Sequence, residues 1–373
     1  MGECQMKMAI GLMSGTSMDG IDAALIRTDG RAVIEPIAST SLLYAPAFRE
    51  QLRKALGDAA PVPKLAEDLT RQHIAVVEDL LDIARVRPAE VDIVGFHGHT
   101  TFHDPKNHIT VQIGDADLLA RELGVDVVHD FRSADVAAGG EGAPFAPLYH
   151  AVLAPPRRPM CFLNIGGVGN LTWIGPGANP DRDDVFDDLL AFDTGPGNAL
   201  IDDWVQRHTG AAFDEGGHLA SRGKVDESVL EALMTSSYFD QLPPKSLDRT
   251  SFSLPHDSKL SLEDGAATLA MFTVSSIVHA TRFLPVPPVR WLVTGGGRKN
   301  QFLLRELASA LGVPVQPTEA AGIDGDVLEA QAFAYLAVRS LAGRPLSGPT
   351  TTGVPAPQTG GRLSAAGARN VSA

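Results

Sequence analysis

GLMSGTSMDGID, residues Gly11–Asp22, decides how the chain is read. The apolar run Met8–Met13 stops at Ser-Gly-Thr-Ser-Met-Asp-Gly, and a second apolar run, IDAALI, starts at once. This pattern predicts strand, Gly-bounded turn, strand. The turn carries the hydroxyls of Ser14, Thr16 and Ser17 and the carboxylate of Asp19. Glycines let backbone N–H groups approach an anion, hydroxyls donate to phosphate oxygens, and a loop carboxylate holds a water or Mg²⁺. The stretch is not the GxxxxGK[ST] loop, which precedes a helix and contains Lys. Taken alone, a plain polar hairpin explains it as well, since Ser, Gly and Asp are ordinary turn residues.

Three further stretches repeat the design. CFLNIGGVGNLTWI (Cys161–Ile174) is again two apolar runs around a turn at Gly166–Gly169. AFDTGPGNALIDDW (Ala191–Trp204) reads as a strand ending in Asp193, a Gly-Pro-Gly turn and a helix start near Asn198. WLVTGGGRKNQFLLREL (Trp291–Leu307) reads as strand, triple glycine and helix. A chain that duplicates a hairpin-first α/β unit makes two lobes with a phosphate loop on each, and a nucleotide is expected in a cleft between them.

Composition narrows the class. The 373 residues are 44% hydrophobic and 20% charged, as expected of a globular protein with a large core and two domains. A net charge of −14 argues against nucleic acid as the main partner, because such binding is largely Lys/Arg neutralisation of phosphates. Cys4 and Cys161 give no disulfide framework, and Cys161 reads as a core residue. No run of about 18 apolar residues predicts a membrane span. The polar start MGECQMK shows no signal-peptide pattern and has Met6 where myristoylation needs Ser or Thr, so a cytoplasmic protein is expected.

Strands are expected near 7–13, 20–28, 33–44, 91–100, 109–115 and 125–131, with helices near 46–58, 63–85, 262–282 and 326–342. AAGGEGAPFAP (Ala137–Pro147) breaks the pattern, and the crossing between domains is placed there. The expected division is an N-terminal lobe over 1–135, a C-terminal lobe over 136–360 and a mobile tail over 361–373.

In order, GLMSGTSMDGID, GFHGHT, VQIGD, DFRSADVAAGGEGAP, LNIGGVGNLT, FDTGPGN and VTGGGRKN resemble the 1,6-anhydro-N-acetylmuramic acid kinases of bacteria. They cover most of residues 8–300. The resemblance implies an α/β, two-lobed actin/hexokinase-like ATPase fold, with duplicated mixed sheets, flanking helices and a central cleft. It implies ATP and Mg²⁺, and as substrate an amino sugar of peptidoglycan recycling with an internal bridge from anomeric carbon to 6-oxygen. It implies that water adds at the anomeric carbon, that the γ-phosphate goes to the freed 6-oxygen, and that N-acetylmuramic acid 6-phosphate results. No nucleic acid or membrane partner is implied, and a homodimer is left open. The family commonly has Gln where this chain has His99 and Glu141, both near the expected sugar pocket.

Candidate roles follow residue by residue. Asp193 is the candidate catalytic base, a helix-capping Asp being the alternative. The candidate nucleotide contacts are Ser14, Gly15, Thr16, Ser17, Met18, Asp19, Gly20 and Asp22 in the first turn. In the later motifs they are Gly166, Gly167, Asn170, Gly195, Gly295, Gly296, Gly297 and Asn300. Asp19 is the candidate metal contact; Asp22 alternatively lines the polar face of its strand. Gly295–Gly297 either approach adenosine or make a tight turn. His97 is a candidate sugar contact, against an ordinary polar loop or, with His99 and His103, a zinc site. Arg132 suits the lactyl carboxylate, against a surface ion pair with Asp130 or Asp135. Glu329 is placed near the sugar by resemblance, against a simple partner of a helix N-terminus. Two other functions compete: a kinase for another amino sugar, and an actin- or chaperone-like ATPase switch.

Overall fold

The computed structural model describes residues 5–15, 18–247, 249, 251–253 and 259–367. The chain divides into two compact units, one of residues 1–153, 179–187 and 327–373, the other of 154–178 and 188–326. The first unit therefore runs on to Leu153 rather than ending at 135, and it takes back the C-terminal segment.

In the first unit the hairpin reading holds. β1 (Lys7–Ser14), β2 (Gly20–Thr28) and β3 (Ile34–Leu43) pair antiparallel in sequence. β4 (Ile93–Asp104) then pairs parallel with β1, β5 (Ile109–Ile113) folds back on β4, and β6 (Val127–His129) pairs parallel with β4. The second unit repeats the plan. β7 (Met160–Ile165), β8 (Val168–Ile174) and β9 (Leu189–Pro196) are antiparallel neighbours. β10 (Trp291–Thr294) joins β7 in parallel, and β11 (Val315–Pro317) joins β10. Both sheets thus place their first strand at the centre, with the hairpin on one side and parallel strands on the other. A last strand, β12 (Arg362–Ser364), pairs with β6, so residues expected in a mobile tail are built into the sheet. Residues 368–373 of that tail, like Thr16 and Ser17, lie outside the described residues.

The C-terminal segment returns because of one helix. Leu328–Leu341 is apolar on nearly every side, with Leu328, Ala330, Ala334, Leu336 and Ala337 buried. A helix of this kind needs a covered seat. Gly11 of β1 and Gly95 of β4 are register partners and form that seat. A Cβ at Gly11 would lie 1.8 Å from Ala330 O, and one at Gly95 2.1 Å from Phe333 O. Glycine serves here to let helix and sheet backbones touch.

Gly11→Ala should accordingly cost about 3 kcal/mol or more, the top of the overpacking range. Gly57→Ala, where the new Cβ meets nothing but φ is +82, should cost about 1–2 kcal/mol. Urea unfolding of both variants checks this; equal losses would mean that the Gly11–Gly95 seat is not a close contact.

Candidate functional site

In the first unit the expected sugar-side residues come together. β4 carries His97, and Arg132 precedes the short helix Ser133–Ala137. Arg132 Nε donates to His97 Nε2 at 3.0 Å, and its Nη1 donates to Gly142 O at 2.6 Å. His97 Nδ1 lies 2.8 Å from Gly98 O. With an obligate donor on one ring nitrogen and a carbonyl on the other, the tautomer is fixed: Nδ1 carries the proton and Nε2 accepts. Burial and the Arg132 charge hold His97 well below its usual range, so the ring is neutral. The Phe333 ring packs on it at 4.7 Å.

Arg132 does not take the surface partners considered for it. Asp130 faces Arg362 at 3.9 Å, and Asp135 accepts from Gly142 N, Ser347 Oγ and Thr352 Oγ1. Arg132 is instead held from two sides, through Nε and Nη1. Burial lowers it to about 10, opposed by the charges of Glu329 and Asp135, and it stays cationic at neutral pH. Glu329, on the first turn of the Leu328–Leu341 helix, is open to water yet crowded by protein. That crowding, Arg132 working against it and Asp22 adding to it, raises its carboxyl above the usual range. Beside His97 opens a pocket of about 300 Å³ lined by Phe96, Gln112, Ile113, Asp130 and Ser133 among others.

The first hairpin divides into a buried and an exposed half. Ser14 is buried, its Oγ 2.7 Å from Tyr44 Oη and 2.9 Å from His99 Nδ1. The hydroxyl expected to meet phosphate is thus engaged by two side chains. Burial lowers His99 to about 4. Gly20 is required by strand pairing, since a Cβ there would lie 2.1 Å from Leu42 O. Asp22 accepts from Ser41 Oγ at 2.6 Å, which is the strand-face reading. Asp19 is exposed and 3.4 Å from Arg49, while Met18 takes a left-handed φ of 57 and donates to Gly15 O. His97, His99 and His103 make no zinc site: they bond to Arg132, Ser14 and Thr110, and no cluster of three or more His, Cys, Asp or Glu able to hold a metal occurs among the described residues.

In the second unit Asp193 sits within β9, which continues to Pro196, rather than at its end. The helix it was weighed as capping starts later, at Ala199. Asp193 Oδ1 accepts from Asn170 Nδ2 at 2.7 Å, and Oδ2 from Leu247 N–H at 2.8 Å. Donors on both oxygens stabilise the ionised carboxylate and fix its plane. Asn170 therefore orients Asp193, and its proposed part in nucleotide binding is not needed to explain it.

Glycines separate by what a Cβ would meet. At Gly295 it would lie 2.2 Å from Asn164 Oδ1, at Gly297 2.5 Å from Ile165 and at Gly195 2.6 Å from Ser276, so packing already requires all three. At Gly166, Gly167 and Gly296 the nearest atoms are 3.6 Å or more away. These are the glycines whose missing side chain the protein itself does not explain. Buried Arg298 fixes the Gly295 turn by donating to Gly295 O while pairing with Glu319 at 2.8 Å and Asp326 at 2.6 Å. Asn300 caps the helix Gln301–Leu311 by accepting from Leu303 N–H. Sequence reading missed Tyr44, Asp135, Leu247 and Lys245; none lies in a patterned motif except Asp135, and all act through folded proximity.

Three antiparallel strands followed by two parallel ones, twice in one chain, is the plan of the actin- and hexokinase-like phosphotransferases. Sequence comparison narrows that class. The model of the family described as Anhydro-N-acetylmuramic acid kinase matches residues 7–365, and the chain belongs to that family. It is 54% identical to the Anhydro-N-acetylmuramic acid kinase of Rhodospirillum rubrum, over 95% of this chain and 93% of that one. To its namesake from Paramagnetospirillum magneticum it is 52% identical, over 95% and 99%.

The buried histidines predict an acid limit to stability. His73 and His99 fall from 6.5 to about 4 on folding. The unfolded chain binds their protons first, so stability is full above pH 6.5 and is lost as pH falls toward 4, on the order of 3 kcal/mol for each ring. His99→Gln keeps a partner for Ser14 and removes one titration. Urea unfolding between pH 7 and 5 should show a smaller loss in the variant than in the native protein; the same loss in both would mean that His99 is not held neutral.

Proposed function

We propose that the protein is an ATP-dependent kinase of 1,6-anhydro-N-acetylmuramic acid, giving N-acetylmuramic acid 6-phosphate in peptidoglycan recycling. Family membership sets the reaction, and the carboxylate of Asp193, held by Asn170 and Leu247, carries the assignment of its base. Asp193 takes a proton from water as the water oxygen bonds to the anomeric carbon. The bond from that carbon to the bridging oxygen breaks. The released 6-oxygen bonds to the γ-phosphorus, and the bond to ADP breaks. Water is a poor nucleophile, and a positioned base typically contributes ~10²–10⁴-fold.

Arg132 is suited to the lactyl carboxylate through Nη2 and the outer side of Nη1, with His97 and Gly142 O fixing its plane. Glu329 is suited to accept a sugar hydroxyl or amide proton. Gly166, Gly167 and Gly296 are suited to close approach by the nucleotide, and Gly15–Asp19 to its phosphates. Mg²⁺ usually binds through one or two carboxylates together with substrate phosphates, so it would arrive with ATP. Asp19 would hold that ion through water, and the ion would neutralise phosphate charge during transfer. No helix among the described residues is long and apolar enough to cross a membrane, and ATP as donor suits a cytoplasmic place of action.

Incubation with the anhydro-sugar, ATP and Mg²⁺ followed by mass spectrometry should show the sugar gaining the mass of water plus one phosphoryl group. Addition of phosphoryl alone would contradict the proposed reaction. Asp193→Asn should fold and bind ATP while losing turnover by ~10²–10⁴-fold, because Asn170 can turn its carbonyl to the new amide. Arg132→Lys should raise KM for the anhydro-muramic sugar and leave the anhydro-N-acetylglucosamine analogue, which lacks the lactyl acid, unaffected. Equal losses for both sugars would make Arg132 structural.

A further inference from the structure

Lys245 is 8% exposed, and its ammonium forms no ion pair among the described residues. Nζ donates to Tyr238 O at 3.0 Å and Phe239 O at 3.4 Å. It faces the rings of Tyr238 at 4.5 Å, Phe283 at 4.8 Å and Phe192 at 5.9 Å. A buried cation without a counterion is costly, and carbonyls with aromatic faces offset that only in part. The same residues converge on Asp193. Asp193 N–H donates to Lys245 O at 3.0 Å, Leu247 N–H donates to Asp193 Oδ2 at 2.8 Å, and Tyr238 Oη donates to Asp193 O at 2.6 Å. One ammonium thus ties Tyr238–Phe239 to Lys245–Leu247, the two stretches that bracket Asp193 before and after the turn between them.

We propose that Lys245 is a positioning residue that holds the Tyr238–Leu247 segment in place and thereby aims the Asp193 carboxylate at water. The inference rests on Asp193 being the base. Burial pushes Lys245 down to about 8, with Arg282 adding to the shift and Asp240 opposing it. Arg282 and Asp240 pair with each other at 2.7 Å, and His279 and Asp193 complete the charged groups around the cage. Above that pH the ammonium becomes an amine, the pull on the rings and carbonyls weakens, and the segment loosens.

The test is a double-mutant cycle read as kcat for sugar-dependent ADP release. Lys245→Met should lower kcat about tenfold or more in the native background with KM for ATP unchanged, and should add nothing in Asp193→Asn. An unchanged kcat, or the same loss in both backgrounds, overturns the proposal. Full activity of Asp193→Asn alone would instead remove the base reading on which it rests. The pH profile supplies a second readout should Lys245→Met not fold. The native kcat should fall as pH rises through about 8, and in Lys245→Arg, whose guanidinium stays charged, that limb should move up by about one unit or more. An alkaline limb at the same pH in Lys245→Arg contradicts the proposal.

Discussion

The contact of the Leu328–Leu341 helix with the Gly11–Gly95 pair is the constraint on which the first unit depends. Two glycines side by side in β1 and β4 remove the side chains that would hold a helix off the sheet. The helix then lies backbone to backbone on the central strands. Its first turn brings Glu329 into reach of the charge on Arg132, and Phe333 one turn on packs against His97 and Phe131. His97 in turn accepts from Arg132. A seating error of one ångström would therefore pass through Phe333 to His97 and on to the guanidinium. Asp135 secures the other side of that guanidinium by binding Gly142 N, and the C-terminal residues Ser347 and Thr352 bind the same carboxylate.

The second unit solves a different problem with the same sheet plan. As the proposed base, Asp193 has to be ionised, aimed and reachable by water. Asp193 is half-buried in β9, with one oxygen on a neighbouring strand's Asn170 and the other on a loop amide. Strand pairing fixes the first donor rigidly, because Asn170 and Asp193 are register partners. The second donor belongs to a loop, and loops need their own anchors. Arg298 plays the corresponding part for the Gly295 turn, where a buried guanidinium is compensated by two carboxylates.

Much of this was legible in the sequence, for physical reasons. Apolar runs interrupted by Gly-rich turns gave both hairpins and their strands to within a residue or two: 20–28 was expected, and Gly20–Thr28 is found. Helical spacing gave Pro63–Ala84, Leu262–Ala280 and Leu328–Leu341. The unit boundary was misplaced because Gly and Pro at 137–147 mark a local break, whereas what returns the C-terminus is the Gly11–Gly95 seat, whose glycines lie far from their helix in sequence, Gly11 meeting Ala330 and Gly95 meeting Phe333. Individual roles were least legible where one residue type serves two ends. Ser14 has the chemistry of a phosphate donor, yet Tyr44 and His99 occupy it. Gly295 and Gly297 suit a nucleotide loop, yet Asn164 and Ile165 already require them. Lys245, in a Pro-rich loop with no period, gave no signal at all.

Coupled ring opening and phosphoryl transfer differ from simple ATP hydrolysis in where water enters. Turnover of the anhydro-sugar with ATP in ¹⁸O-labelled water, read by mass spectrometry of the product and its fragments, locates the new oxygen directly. Label on the anomeric hydroxyl, with none in the phosphate, is the predicted result if Asp193 acts as the proposed base and activates water against carbon. Label in the phosphate would mean that water attacks phosphorus, and the coupled ring opening assigned to Asp193 would be contradicted.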